Sequence, residues 1–267
     1  MKYTIITVNF NNKDGLRQTI ESVISQTYRD FEYIVIDGGS TDGSVDVLKE
    51  YDRQIDYWVS EPDSGIYNGM NKGIAKAHGD YLNFMNSGDR FYDKDVLSRL
   101  TARPLEADLI VGRDYHFNEQ SGCGFATILP PRISMLTFYN QTLPHQSTFI
   151  RREMFDGCPY DETFRIVSDI KFYIQKLCVE GRSISLIDDI ICRREPDGVS
   201  KTYNDRRITE HQTVIQQFLP QGAIKDYQTL TLLDKSTLYK LMKLLQFPRS
   251  NKIITICIKI INRIYGQ

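Results

Sequence analysis

Tyr3, Ile5, Ile6 and Val8 are separated only by threonines, a pattern that predicts a buried strand over Tyr3–Val8. A polar loop from Asn9 to Asp14 follows. Between Gly15 and Gln26, the apolar residues Leu16, Ile20, Val23 and Ile24 recur on one helical face, which predicts a helix. Phe31–Ile36 reads as a second strand, Ser44–Tyr51 as a helix opened by the Ser40-Thr41-Asp42 segment, and Gln54–Val59 as a short strand. Ile66–Ala77 is predicted helical. Tyr81–Met85 is predicted as a strand that ends in an Asn86-Ser87-Gly88-Asp89 turn. This β-α-β-α-β-α-β alternation implies a mostly parallel central sheet flanked by helices, an α/β fold.

The second half is less periodic. Strands are predicted over Asp108–Gly112, Gln146–Arg151 and Ser183–Arg193, with a strand-poor or hairpin region over Gly112–Pro131. Helices are expected over Ser168–Gly181, Asp205–Phe218 and Asp234–Leu245. Proline and glycine between Pro220 and Ala223 mark a boundary between a catalytic domain, residues 1–220, and a C-terminal helical segment, residues 221–267. In that segment Lys252, Thr255, Lys259, Asn262 and Arg263 recur at helical spacing among isoleucines. This predicts a basic amphipathic helix suited to peripheral contact with an anionic membrane, or to packing of its apolar face on protein.

Charge and cysteines narrow the picture only slightly. A formal net charge of −1 over 267 residues gives no global attraction to nucleic acid. The five cysteines are scattered and odd in number, which suits a reducing cytoplasm better than a disulfide framework or a zinc site. The apolar run at the N-terminus is too short for a signal-peptide core, and no segment is long and apolar enough to span a bilayer. A cytoplasmic enzyme is expected, at the inner face of the plasma membrane if the basic helix docks there.

The candidate chemistry sits where strands end. Asp37, Asp63 and Asp89 each close a predicted strand, so an edge of the sheet gathers carboxylates suited to a polar ligand or a metal. The loop Gly38-Gly39-Ser40-Thr41-Asp42-Gly43-Ser44 has Ser40 where a dinucleotide fingerprint needs glycine. It has Ser44 where a phosphate-binding P-loop needs lysine. A nucleotide site led by a carboxylate fits better than one that cradles phosphate.

Thr4–Asn11, Val35–Ser44, Asp63–Gly73 and Phe84–Asp89 occur in that order, followed by His145–Arg151, Ser168-Asp169 and Asp197–Ser200. This ordered set resembles the family 2 glycosyltransferases of the GT-A (Rossmann-like) fold, particularly those that assemble bacterial surface polysaccharides. It covers roughly residues 3–210. The resemblance implies an inverting, hexosyltransferase-type enzyme that moves a sugar from a nucleotide-sugar donor, a UDP-sugar foremost, to a glycan or lipid-linked acceptor.

By the same resemblance Asp37 accepts a hydrogen bond from the base, and Asn9, Asp63 and Asn86 line the nucleotide site. Capping of the next helix is the alternative for Asp37, and a turn is the alternative for Asp63. The family's D-x-D metal motif is altered here: Asn86 and Gly88 stand at its two positions, with Asp89 following. Asp89 is the expected ligand of a divalent cation, Mn or Mg, and an ordinary turn is its alternative. Asp169 matches the family's general base, with stabilisation of a helix start as the alternative. His145, Arg194 and Ser200 are expected near the diphosphate or the acceptor. Asp161 and Glu162 form a competing carboxylate pair in an exposed turn. Two other functions remain open at this stage: a catalytically degenerate nucleotide-sugar-binding module, motivated by the altered D-x-D, and a sugar nucleotidyltransferase. Homo-oligomerisation is left open as well.

Overall fold

The computed structural model describes residues 3–104, 106–118, 122–194 and 204–232. Its first half follows the hydrophobic pattern. Strands β1 (Tyr3–Asn9), β2 (Phe31–Asp37), β3 (Tyr57–Ser60) and β4 (Tyr81–Phe84) pair in parallel in the order β3-β2-β1-β4. Helices α1 (Lys13–Ile24), α2 (Ser44–Glu50) and α3 (Ile66–Lys76) connect them. Strand alternation sorts the core into two layers. Ile5, Tyr33 and Val35 pack in one cluster with Leu16, Ile20 and Val23 of α1 and with Val47 and Leu48 of α2. Burying each of these α1 side chains stabilises the fold by roughly 1.5–3 kcal/mol.

The opposite face holds α3, which lies close because two of its residues are glycines. A Cβ at Gly69 would come within 2.7 Å of Val8 Cγ1, and one at Gly73 within 2.6 Å of Ile6 Cγ2.

Local chemistry moves some boundaries. Helix α1 begins at Lys13 rather than Gly15, because Asn12 caps it by accepting from the Gly15 amide at 3.2 Å. Asp42 accepts from the Lys13 amide at 2.8 Å and from the Ser44 amide at 3.0 Å, so one carboxylate serves the starts of α1 and α2. Strand β3 starts at Tyr57 because Asp52–Gln54 form a 3-10 turn.

The remaining strands are β5 (Arg90–Phe91), β6 (Leu109–Asn118), β7 (Cys123–Ala126), β8 (Thr148–Arg151) and β9 (Ile184–Arg194). The sheet continues past β4 as β8-β6-β9-β5, with β7 paired to β6. Strand β8 lies antiparallel between β4 and β6, β7 folds back on β6 as a hairpin, and β9 runs parallel to β6. Parallel pairing therefore holds through β1–β4, and the second half is mixed.

Two short helices, α4 (Val96–Thr101) and α5 (Met135–Asn140), were not legible from periodicity. Helix α6 (Ser168–Tyr173) is shorter than the predicted Ser168–Gly181, because a π-helical turn takes over at Ile174–Val179. Helix α7 spans Asn204–Phe218.

The chain divides into two compact units, Met1–Phe218 and Leu219–Gln267. The described part of the second unit is helix α8 (Gln221–Leu232), which starts directly after Pro220. The predicted helix Asp234–Leu245 and the amphipathic stretch Lys252–Tyr265 lie outside the described residues. No helix among the described residues is long and apolar enough to cross a membrane.

Candidate active site

Parallel register places Asn9, Asp37 and Ser60 side by side at the carboxyl ends of β1, β2 and β3. The Asp37 carboxylate is fully buried and takes four donors. Asn9 Nδ2 (2.7 Å) and Ser40 Oγ (2.6 Å) reach Oδ1, while the Ser40 amide (2.9 Å) and Ser60 Oγ (2.6 Å) reach Oδ2. Burial pushes this carboxyl up, but the bonds from Ser40, Ser60 and Asn9 outweigh it and hold it below the usual range. Its acceptor capacity is filled by the chain itself. A base would reach Asp37 only by replacing one of these donors.

Asp63 differs. Its Oδ1 accepts from the Gly65 amide at 2.9 Å, and among the described residues no donor is bonded to Oδ2. Gly38 and Gly69 leave room for that oxygen: a Cβ at these positions would lie 2.7 and 3.3 Å from it. Burial raises the Asp63 carboxyl despite the Gly65 bond. The loop after β1 ties this cluster to the turn after β4. The Asn11 amide donates to Ser40 Oγ at 2.7 Å, and Asn12 Nδ2 donates to the Ser87 carbonyl at 3.1 Å.

Beyond that turn opens a cavity of about 1170 Å³ whose wall includes Asn86, Asp89, Asp114, His145, Asp169 and Arg194. Asn9, Asp37 and Asp63 are not part of its lining. The turn itself is clamped. Gly88 adopts φ +100°, its amide donates to Thr19 Oγ1 at 3.0 Å, and Thr19 Oγ1 donates to the Asp89 carbonyl at 2.7 Å. Burial pushes the Asp89 carboxyl up to about 6, with the Arg194 charge and a Gln146 hydrogen bond pulling down and Asp114 pushing up.

Asp114 was not singled out from the sequence. It lies in β6 at a register irregularity against β9, is 1% exposed, and accepts from Ser147 Oγ; Arg194 Nη1 stands 3.6 Å from its Oδ2. The strand's second half, Arg113-Asp114-Tyr115-His116, is too polar for its pattern to mark this aspartate as buried. Burial raises its carboxyl as well, against the Ser147 bond and the Arg194 charge.

Asp169 opens α6 and is 8% exposed. Tyr67 Oη, from α3, donates to its Oδ1 at 2.8 Å. The Tyr67 ring lies 5.4 Å from that of Tyr160, whose hydroxyl is 2.9 Å from His145 Nε2. His145 stacks on Phe84 with ring centroids 5.2 Å apart, and burial lowers its pKa from 6.5, so it stands as a neutral imidazole near pH 7.

The competing pair is engaged at the surface: Asp161 with Lys171 at 2.6 Å, and Glu162 with Asn68 and Asn71 at 2.9 and 2.8 Å. Ser200 lies outside the described residues.

No group of three histidine, cysteine, aspartate or glutamate side chains suited to a metal occurs among the described residues. Asn86 and Asp89 both line the cavity and carry hard oxygens, and Asn86 Oδ1 is buried with no hydrogen-bond partner among the described residues. That donor set fits a Mg²⁺ or Mn²⁺ ion that takes its remaining ligands from water and substrate phosphates.

The Glycosyl transferase family 2 model matches residues 4–158. An uncharacterized glycosyltransferase of Mycobacterium tuberculosis is 37% identical over 181 residues, covering 66% of this chain and 69% of that protein. Among solved structures, Staphylococcus aureus TarS 1–349 in complex with UDP-GlcNAc superposes with a TM-score of 0.61 at 18% identity, covering 74% of this chain and 59% of that one. The chain spans only 38% of another TarS structure. The mannosyltransferase PcManGT from Pyrobaculum calidifontis, in complex with GDP-Man and Mn²⁺, gives a TM-score of 0.60 at 13% identity, covering 95% and 83%. With the sheet order and motif positions described above, these matches make the chain a family 2 glycosyltransferase of the GT-A fold.

Proposed function

We propose that the chain transfers a sugar from a UDP-sugar to a hydroxyl of a glycan or lipid-linked acceptor, with inversion, in bacterial surface polysaccharide synthesis. Residues 1–220 would form the catalytic domain. The observation that carries the reading is the placement of Asp169 in the wall of the cavity that also holds Asp89 and Arg194. Asp169 Oδ1 is held by Tyr67, so the carboxylate is oriented before substrate arrives. In the transfer, Asp169 takes the proton of the acceptor hydroxyl as its oxygen attacks the anomeric carbon from the face opposite the leaving diphosphate. Arg194 faces the developing negative charge on the leaving group.

A divalent cation held by Asp89 and Asn86 would add Lewis-acid neutralisation of the diphosphate. On the nucleotide side, Asp63 offers the open acceptor for the base, while Asp37, with Asn9, fixes the loop around it. The UDP-GlcNAc complex of TarS and the Mn²⁺ complex of PcManGT support the donor class and the cation.

The test is donor turnover with Mn²⁺, measured as UDP release from a panel of UDP-sugars. Asp169→Asn is expected to lower it by about 10²–10⁴-fold, and Asp89→Asn to abolish it. Wild-type rates in both variants would defeat the site assignment.

A further inference from the structure

The cavity has a second character at its rim, away from the carboxylates. Phe125 and Ile128 are 67% and 89% exposed and line it together with Leu129 and Pro130. Single exposed apolar side chains are ordinary, but two exposed ones with two half-buried apolar neighbours, all within six residues and all lining one cavity, form a patch. The rim is also built. Phe125 stands in β7 opposite His116 of β6, and the two rings stack at 5.1 Å with planes 13° apart. Thr127 is fastened to β6 by three bonds: its amide to the Asp114 carbonyl (2.8 Å), the Asp114 amide to its Oγ1 (2.9 Å), and Arg113 Nε to its carbonyl (2.8 Å). Ile128 is thus displayed from pinned backbone, and Pro130 and Pro131 restrict the chain beyond it. Ile66 and Ile170, sequence neighbours of Tyr67 and Asp169, add apolar surface to the same cavity.

We infer that this rim is the subsite for a hydrocarbon aglycone, so that the acceptor is a sugar or hydroxyl carried on a lipid rather than a free glycan. The inference rests on the transfer reading above and selects between its two acceptor classes. The side chains of Ile128, Leu129 and Pro130 offer no hydrogen bond to sugar hydroxyls, and the stretch from Phe125 to Pro130 carries no charge. An alkyl chain is the ligand that gains from such a surface, since each methylene removed from water adds to affinity.

The test compares octyl β-D-glucoside, below its micelle concentration, with methyl β-D-glucoside by calorimetric titration of the UDP-saturated full chain. Octyl glucoside is expected to bind at least tenfold tighter, the gain from burying about two methylenes. Phe125→Ser combined with Ile128→Ser, and separately Ile128→Asp, should bring the two ligands within about threefold, with the melting temperature unchanged because both side chains are exposed. Equal binding of the two glucosides by the wild type would overturn the inference, as would a preference that survives both variants. So would a wild-type dimer on size exclusion that the double variant dissociates, since the patch would then belong to a second copy of the chain. UDP binding and donor turnover are measured on the same samples. Lost donor use with the octyl preference intact counts against the transfer reading alone, whereas donor use without the preference counts against the lipid subsite alone.

Discussion

Tyr67 donates its phenolic hydrogen to Asp169 Oδ1 across 2.8 Å, joining α3 to the start of α6 over 102 positions of sequence. Both groups are buried, at 6% and 8% exposure. The bond occupies one carboxylate oxygen, Oδ1, so in the proposed transfer the other oxygen is the one that would meet the acceptor hydroxyl. Asp169→Asn keeps an acceptor for Tyr67 but loses the ability to take a proton. Turnover is expected to fall by about 10²–10⁴-fold with UDP affinity and melting temperature nearly unchanged. Tyr67→Phe should lower the turnover number more than it raises the donor KM, and should cost about 1–3 kcal/mol of stability by stripping a donor from a buried carboxylate. Full turnover in Asp169→Asn would remove that residue from the chemistry.

Asp37 and Asp63 should separate by stability. Four donors converge on Asp37, so Asp37→Ala leaves fixed donors such as the Ser40 amide unsatisfied. A loss of roughly 2–4 kcal/mol is expected, together with weaker UDP binding. Asp63 has one oxygen without a hydrogen bond in the described chain, and Asp63→Ala should weaken UDP binding with a much smaller shift in the urea midpoint. Gly38→Ala should resemble Asp63→Ala, because its Cβ would sit 2.7 Å from Asp63 Oδ2. If Asp63→Ala bound UDP as tightly as wild type, the base would be read elsewhere.

Much of this arrangement was legible in the chain and some was not, for physical reasons. The strands β1, β2 and β4 carry their burial in local patterns, and so Asn9, Asp37 and Asp89 at or just past their ends could be named. Asp169 was reached through resemblance, because a first-turn aspartate has the same local sequence whether it stabilises a helix start or holds a substrate. Tyr67 and Asp114 were out of reach. Tyr67 reads as one more apolar position of α3 until its distant partner is in place, and Asp114 is aimed by a register shift between β6 and β9 that no local pattern encodes. Saturation of Asp37 depends equally on Ser60, which reaches it only across a strand pairing.

Asp89 predicts a pH effect with a definite sign. In the enzyme free of nucleotide its carboxyl is raised from 3.8 to about 6, chiefly by burial. Between about pH 4 and 6 the native state therefore holds a proton that the unfolded chain has released. The stability tied to this group is fully present below that window and is lost as pH rises through it, by on the order of 2–3 kcal/mol. Asp89→Asn removes the effect. Its urea midpoint should exceed that of wild type at pH 8 and match it near pH 4, while donor turnover disappears. A difference between the two proteins that does not vary over this range would show that Asp89 titrates normally.

Arg194 acts on both Asp114 and Asp89. Nη1 stands 3.6 Å from Asp114 Oδ2, and the same positive charge draws the Asp89 carboxyl down. Arg194→Gln should raise Asp89 further above about 6, so the pH at which UDP with Mn²⁺ binds half-maximally should move upward, because cation binding requires the ionised carboxylate. Losing charge-assisted bonds to the diphosphate should also weaken UDP by about 10–100-fold at pH 8. Arg194→Lys keeps the charge and so should keep the pH midpoint near that of wild type. It should still lose part of the affinity, since an ammonium cannot reproduce the planar fork of donors. Calorimetric titration of UDP from pH 5 to 8 on the three proteins separates the two contributions: charge governs the midpoint and geometry governs the plateau. Equal UDP affinity in all three would leave Arg194 as a partner of Asp114 alone.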